Sequence, residues 1–280
     1  MRLKDKQSQR GAALLLVLML SASMAAVMLF MSGKGRNDAR MASLVRKNTL
    51  VSMEIQSTQA DVVFRLMTSP LGVLGPGNRY GEIVGGTDLV KSFDGKPYAY
   101  KELEVSIQDM SGLVSLVPFN EKGFKQLLYN QGLEREAVDE VMDRLDDWQD
   151  RDGLRRLAGA ENGDYDYPYL PKNGLIQSMQ ELAYVLDDEQ LFSRLQGKLR
   201  LYSTATIVRQ FTPDSLYSSL GFDPEQRNSE TAEGASIYPS GRYIIDISAS
   251  GDTALKQRLV LYRGQGTFKP YFTTNEGMVR

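Results

Sequence analysis

The chain reads as an α+β protein: a very long N-terminal helix, an antiparallel sheet, and a set of helices inserted between the strands of that sheet. Three observations carry this. Residues 12–31 (AALLLVLMLSASMAAVMLFM) form an uncharged apolar run, and no proline follows before Pro70. Strand-like alternation appears near residues 98–117 and again near 242–263. Between those two regions lie four stretches with helical spacing of apolar residues.

A helix of about 20 residues spans roughly 30 Å, the hydrocarbon thickness of a bilayer, so residues 12–32 are read as a transmembrane segment. The eleven residues before it carry Arg2, Lys4, Lys6 and Arg10 against Asp5 alone, a net of +3. Three readings fit this start: a cleaved signal peptide with a small-x-small site at Ser23-Met24-Ala25, a plain signal anchor, or a prepilin-type segment cut after Gly11. Basic residues flank the run on both sides, with Lys34, Arg36, Arg40, Arg46 and Lys47 beyond it, so the positive-inside rule leaves orientation open. Further on, Leu44, Val51, Ile55, Val62 and Leu66 are spaced 7, 4, 7 and 4, a heptad-like stripe within residues 33–68. An unbroken helix over residues 12–67 would be about 84 Å long, with Gly33 and Gly35 as its weak points. A cleaved signal peptide gives no reason for that continuation. A short basic leader (1–11) ending in glycine, then a helix half in the membrane and half amphipathic, is the layout of a type IV pilin-like subunit.

Residues 69–97 are dense in Gly and Pro and read as loop with a short hairpin at most. Tyr98–Ile107 is read as one strand, with Tyr98, Tyr100, then Leu103, Val105 and Ile107 on one face. Asp109-Met110-Ser111-Gly112 has turn chemistry, because Asp can bond the backbone two residues on and Gly accepts positive φ. Leu113–Val117 follows as a second strand. Asn120 caps a helix carrying Phe124, Leu127 and Leu128, and Gly132 ends it. Glu134–Trp148 is a second helix, with Val138, Val141, Met142 and Leu145 inward. Gln177–Leu186 and Asp188–Leu195 are two more. Strands return at Arg242–Ser250 and Lys256–Arg263, with Gly251-Asp252 between them, while residues 223–241 are polar loop. The domain reading is therefore a sheet from 69–118 and 200–280, split in sequence by an all-helical insertion at 119–199.

Composition narrows the chemistry. The chain has no His and no Cys among its 280 residues. That excludes His-based triads, the usual zinc sites, thiol nucleophiles and disulfide frameworks. Oxygen ligands remain, which suit calcium or magnesium. A net charge of -2 gives no sign of nucleic acid as a partner. Residues 134–166, however, hold twelve Asp/Glu against five Arg. Within that stretch Asp150-x-Asp152 resembles the start of a calcium loop, and Glu161, Asp164 and backbone carbonyls would extend the oxygen shell. The alternative is a solvated acidic loop neutralised by Arg151, Arg155 and Arg156. Asp146 and Asp147 do not read as an acid/base pair, because neighbouring helix positions point about 100° apart. No enzyme is expected. Trp148 reads as a core anchor, with Tyr165, Tyr167 and Tyr169 packing over the same loop.

Four motifs carry a resemblance. They are Gln9-Arg10-Gly11 before Ala12-Ala13-Leu14-Leu15-Leu16; Asp109-x-x-Gly112 before an apolar strand; Leu145-Asp146-Asp147-Trp148-Gln149-Asp150-Arg151-Asp152 with Gly159-Ala160-Glu161; and Lys172-Asn173-Gly174 before Ser178-Met179-Gln180-Glu181-Leu182. In this order the chain resembles the K-type minor pseudopilins of type II secretion systems. The resemblance implies a pilin-like fold with an inserted helical domain, and calcium in that domain. It implies cleavage after Gly11 and methylation of Ala12 by a prepilin peptidase. It further implies a single-pass inner-membrane protein, N-terminus cytoplasmic and bulk periplasmic, acting with I-, J- and H-type minor pseudopilins and an inner-membrane assembly platform. Most pilin-like subunits carry Glu at the fifth mature position, which pairs with a neighbour's amine; here that position is Leu16, as in the K family, which fits a subunit at the tip of the filament. A K-like minor pilin of a type IV pilus and a signal-anchored calcium-binding envelope module are the alternative readings.

Overall fold

The computed structural model describes residues 5–76, 90–223, 225, 227, 238–249, 255–264 and 270–279. The chain separates into two units, Met1–Glu54 and Ile55–Arg280. Helix α1 (Asp5–Thr68, 64 residues) supplies all the described structure of the first unit and enters the second. It begins seven residues before the expected start at Ala12, so helical backbone runs through Arg10, Gly11 and Ala12. One glycine costs a helix only about 1 kcal/mol, less than long flanking runs of helix-forming residues contribute. Gly33 and Gly35 are likewise absorbed, and a side chain at either would meet open space. From Ala12 to Leu50 every side chain is exposed. The apolar stripe is buried only in the second unit, at Ile55, Val62 and Leu66, while Leu44 stays exposed and Val51 half-buried.

In the second unit a short helix α2 (Leu71–Leu74) follows α1, and the possible hairpin in 69–97 falls mostly at 77–89, outside the described residues. A five-stranded antiparallel sheet has the order β1-β2-β5-β6-β7, from β1 (Tyr98–Tyr100), β2 (Leu103–Asp109), β5 (Arg242–Ala249), β6 (Lys256–Arg263) and β7 (Tyr271–Val279). The expected single strand Tyr98–Ile107 is thus a hairpin, with Tyr100 paired to Leu103 across Lys101-Glu102 and Lys101 at φ 53°. The sequence signal is the change of phase from even apolar positions (98, 100) to odd ones (103, 105, 107), which one continuous strand cannot put on one face. The expected turn at Gly251-Asp252 lies outside the described residues.

The second expected strand is present as β3 (Val114–Val117), but it does not join that sheet. It pairs in parallel with β4 (Leu199–Leu201). Between these two strands stand α3 (Glu121–Asn130), α4 (Arg135–Gln149), α5 (Met179–Leu186) and α6 (Glu189–Leu195). The β3–β4 pair therefore closes the base of the helical insertion, where the chain leaves and returns. Asn120, Ser178 and Asp188 each accept a backbone N–H at the first turn of α3, α5 and α6. The insertion's core contains Phe124, Leu127, Val138, Leu145, Trp148, Leu182 and Leu195, and it extends to Ile244 and Val260 of the sheet. A last helix, α7 (Asp214–Ser219), adds Leu216 to the same core.

The junction of insertion and sheet is a buried polar knot. Asp109 ends β2 and is wholly buried. Its Oδ1 accepts from the Ser111 N–H at 2.8 Å, the Ser111 hydroxyl at 2.6 Å and the Ser240 hydroxyl at 2.7 Å, and its Oδ2 accepts from the Ser240 N–H at 2.7 Å. Burial raises the Asp109 pKa against the opposing pull of these donors. Around it, the Val208 N–H donates to the Ser111 carbonyl and the Gln108 amide to the Phe211 carbonyl, so the chain returning from the insertion is tied to the same turn. Gly112 is required there for space and not for a positive φ, which it does not adopt: a Cβ would lie 2.0 Å from the Phe211 carbonyl oxygen. Asp109→Ala strands four donors; it is expected to cost about 3 kcal/mol, read as a lower urea midpoint for loss of near-ultraviolet dichroism.

Candidate functional site

Two regions hold the residues singled out from sequence. The first is the N-terminal half of α1. Gly11 and Ala12 lie in continuous helix, and Leu16 is exposed on it together with Leu14, Leu15, Val17 and Leu18. The segment beginning at Ala12 has a mean hydropathy of 2.5 over its most apolar window and is long enough to cross a membrane. No carboxylate stands at position 16, and the next acidic residue is Asp38.

The second region is the loop after α4. Adjacent positions at the end of this helix diverge, which places Asp147 fully inside and leaves Asp146 half exposed. Asp147 accepts from the Arg156 backbone N–H at 3.1 Å and from its guanidinium at 2.7 Å. The same guanidinium binds Asp150 Oδ2 at 2.6 Å and approaches Asp146 at 3.6 Å. These carboxylates raise the Arg156 pKa. Gly159 lets the loop pass over this cluster, since a Cβ there would fall 1.8 Å from Asp147 Oδ2. The Asp-Trp and Gly-Ala-Glu motifs are therefore two sides of one contact.

The other motif residues close the loop from the far side. Trp148 is buried, stacks edge-on against Tyr165 at 5.5 Å, and directs its indole N–H to Glu181 Oε2 at 3.4 Å. Glu181 also caps its own helix by accepting from the Gln177 N–H, and Lys172 pairs with it at 3.3 Å. The Gly174 N–H donates to the Trp148 carbonyl, and the Asn173 amide to the Asp152 carbonyl. Of the three tyrosines expected over the loop, Tyr165 packs on Trp148, while Tyr167 and Tyr169 are 45% and 72% exposed.

The four candidate metal ligands are held in different ways. Asp152 Oδ1 accepts from the Leu154 N–H at 2.9 Å. Asp164 accepts from the Glu161 N–H at 2.9 Å and pairs with Arg155 at 3.2 Å. Asp150 Oδ1 and Glu161 Oε1 are buried with no hydrogen-bond partner among the described residues. Burial raises the Glu161 pKa, and the charges of Asp147, Asp150 and Asp152 raise it further. Among the described residues no three carboxylates stand close enough together to hold a metal ion as they are. The features that would suit a hard cation are the two orphaned oxygens and the surplus negative charge around them, which Arg155 and Arg156 only partly offset. Asp147 and Arg156, which organise this cluster, are not among the ligands expected from sequence; the position of Asp147 one turn after Asp143 on the buried flank of α4 is the available signal.

Residues 106–203 match the family described as type II secretion system (T2SS), protein K. That range holds three of the four motifs, at 109–112, 145–161 and 172–182, while the leader motif at 9–16 lies outside it. Among solved structures, a chain of the GspK-GspI-GspJ complex from the enterotoxigenic Escherichia coli Type 2 Secretion System is similar in fold, with a TM-score of 0.52 over 86% of this chain and 98% of that one, at 11% identity. No curated protein matches the chain in sequence.

Proposed function

We propose that this chain, similar through its helical insertion to protein K of type II secretion systems, is a minor pseudopilin at the tip of a type II secretion pseudopilus. It would help start and cap the filament and has no catalytic role. The observation that carries this is the architecture itself: a 64-residue N-terminal helix with an apolar first half, an antiparallel sheet, and a helical domain inserted at β3 and β4. The I-, J- and H-type minor pseudopilins are its proposed neighbours, supported for two of them by the complex in which the similar chain was solved.

In this role α1 anchors the chain in the inner membrane, N-terminus in the cytoplasm, with the second unit in the periplasm. A prepilin peptidase cuts after Gly11, which frees and methylates the Ala12 amine. An unpaired charge in hydrocarbon is costly, so a carboxylate at the fifth mature residue of a neighbour draws such an amine into register. Leu16 offers no such carboxylate to a subunit above, which fits a chain with nothing stacked on top of it. The stripe through exposed Leu44 and half-buried Val51 is left for the helices of neighbouring subunits.

The helical domain is also proposed to hold calcium, with Asp150, Asp152, Glu161 and Asp164 as its oxygen donors. Such an ion would neutralise the buried Glu161 carboxylate and give Asp150 Oδ1 a partner. Without divalent cation, the raised Glu161 pKa means the folded state holds that proton more tightly than the unfolded chain. Its stabilising effect is then complete below the ordinary carboxylate pKa and lost as pH rises through the raised value. Glu161→Gln is accordingly expected to melt higher than the parent chain at neutral pH in chelator, and to lose most of the upward shift that calcium gives the parent. Equal calcium shifts in both proteins would remove Glu161 from the site.

Processing is tested by the intact mass and N-terminal sequence of the chain from membranes with and without prepilin peptidase. A peptidase-dependent start at N-methylated Ala12, abolished by Gly11→Val, is expected. A start at Met1 in both membranes would leave an anchored protein with no filament role, and a start near Ala26 would mean a cleaved signal.

A further inference from the structure

The stretch of α1 beyond the apolar run is charged unevenly. Between residues 33 and 50 it carries Lys34, Arg36, Arg40, Arg46 and Lys47 against Asp38 alone, and all six side chains are exposed. Two kinds of counterion compete for so much positive charge, and the rise of the helix separates them. Lys34 and Arg36 stand about 3 and 6 Å beyond residue 32, within a headgroup layer roughly 5–8 Å deep, where anionic lipid meets them. Arg40 and Lys47 stand about 12 and 22 Å beyond it, too far out for lipid to neutralise them.

Their place around the helix is equally particular. Each lies one turn before a residue of the apolar stripe, Arg40 before Leu44 and Lys47 before Val51. At 100° per residue both fall about 40–60° to one side of Leu44. The other side of the stripe holds Met41 and Asn48, with no charge. Arg46 is on the far face, about 160° round from Leu44.

The chain does not supply these two cations with a counterion of its own. No Asp or Glu stands three or four residues from either, and the next carboxylate on that side, Glu54, is about 10 Å beyond Lys47 along the axis. Elsewhere it does supply them: Arg65 with Asp61, Lys125 with Glu121 and Arg135 with Asp139 are ion pairs one turn apart. Exposed Leu44 and half-buried Val51, flanked on one side by two unmatched cations, suit a partner helix of opposite charge.

We propose that the helix packed on Leu44 and Val51 belongs to another membrane-anchored subunit and bears two carboxylates, seven residues apart, facing Arg40 and Lys47. That spacing matches the two turns, about 10 Å, that separate the cations, along a near-parallel partner. The proposal rests on the reading of α1 as a filament helix and adds the chemistry by which it selects its neighbour.

The test puts a photo-crosslinking phenylalanine analogue at Asn48, on the uncharged side of the stripe, in the full chain within membranes that hold the whole secretion system. Adducts are measured against the amount of chain in the membrane, and the joined segment is located by mass spectrometry. One dominant adduct is expected, to a helix of another protein with Asp or Glu at two positions seven apart. Arg40→Gln with Lys47→Gln should lower its yield about threefold, and Arg40→Glu with Lys47→Glu about tenfold. Changing the partner's two carboxylates to lysine should restore the yield of the charge-reversed chain. Arg46→Glu, on the far face, should change nothing. Full yield from the charge-reversed chain, or an equal loss from Arg46→Glu, would overturn the proposal and leave the helix packing standing. So would an adduct to a helix without such carboxylates or to a second copy of this chain. No adduct from the parent would remove the helix packing itself, and the proposal with it.

Discussion

Asp109 accepts two hydrogen bonds from Ser111 and two from Ser240, and through them one buried carboxylate joins the end of β2 to the start of β5. A chain that leaves a sheet for a long helical excursion and then returns meets a physical difficulty at that point. Backbone groups at the departure and the return must be satisfied without strands to satisfy them. A carboxylate solves this, because its two oxygens accept from several directions at once. The Gln108 amide and the Ser111 carbonyl extend the knot to Phe211 and Val208. The helical domain is thereby held to the sheet by polar bonds as well as by the core that reaches Ile244 and Val260. Whatever the domain presents outward, it presents from a fixed platform.

The loop after α4 obeys the same logic with a different balance. Asp147 is buried and paired, and Arg156 spans it and Asp150, so part of the charge is settled within the chain. Glu161 is not settled. It is buried among like charges, and its Oε1 has no partner among the described residues. Burial and the charges of Asp147, Asp150 and Asp152 raise its pKa, which favours the protonated carboxyl. The motif residues Trp148, Lys172, Asn173, Gly174 and Glu181 hold the loop in register around it, which gives their order in the sequence a structural reason.

Much of this architecture is legible in the amino-acid order alone. The long helix follows from an apolar run and a missing proline, and the cap at Asn120 follows from local side-chain chemistry. What stays hidden depends on pairing between distant segments. The hairpin at Lys101 is encoded as a change of phase that resembles continuous alternation. β3 has the apolar character of a sheet strand, and nothing local says that its partner is β4 instead of β5. β7 alternates weakly, as an edge strand with Tyr271 and Phe272 partly exposed has little need to. At the site, Asp146 and Asp147 diverge as adjacent helix positions do. The same divergence sends one of them inward, and its role depends on Arg156 folding back onto it, a contact that no local pattern announces.

The central reading is that one copy of this chain stands at the head of a filament, its long helix packed on other pilin-like helices. The absence of native cysteine allows a clean test, since Leu44→Cys on the exposed stripe can carry a thiol-directed photo-crosslinker at a single position. Irradiated in membranes that hold the whole secretion system, the chain should form adducts with other minor pseudopilins and none with a second copy of itself. Adducts dominated by the chain joined to its own kind would mean that it repeats along the filament, and the tip assignment would fall.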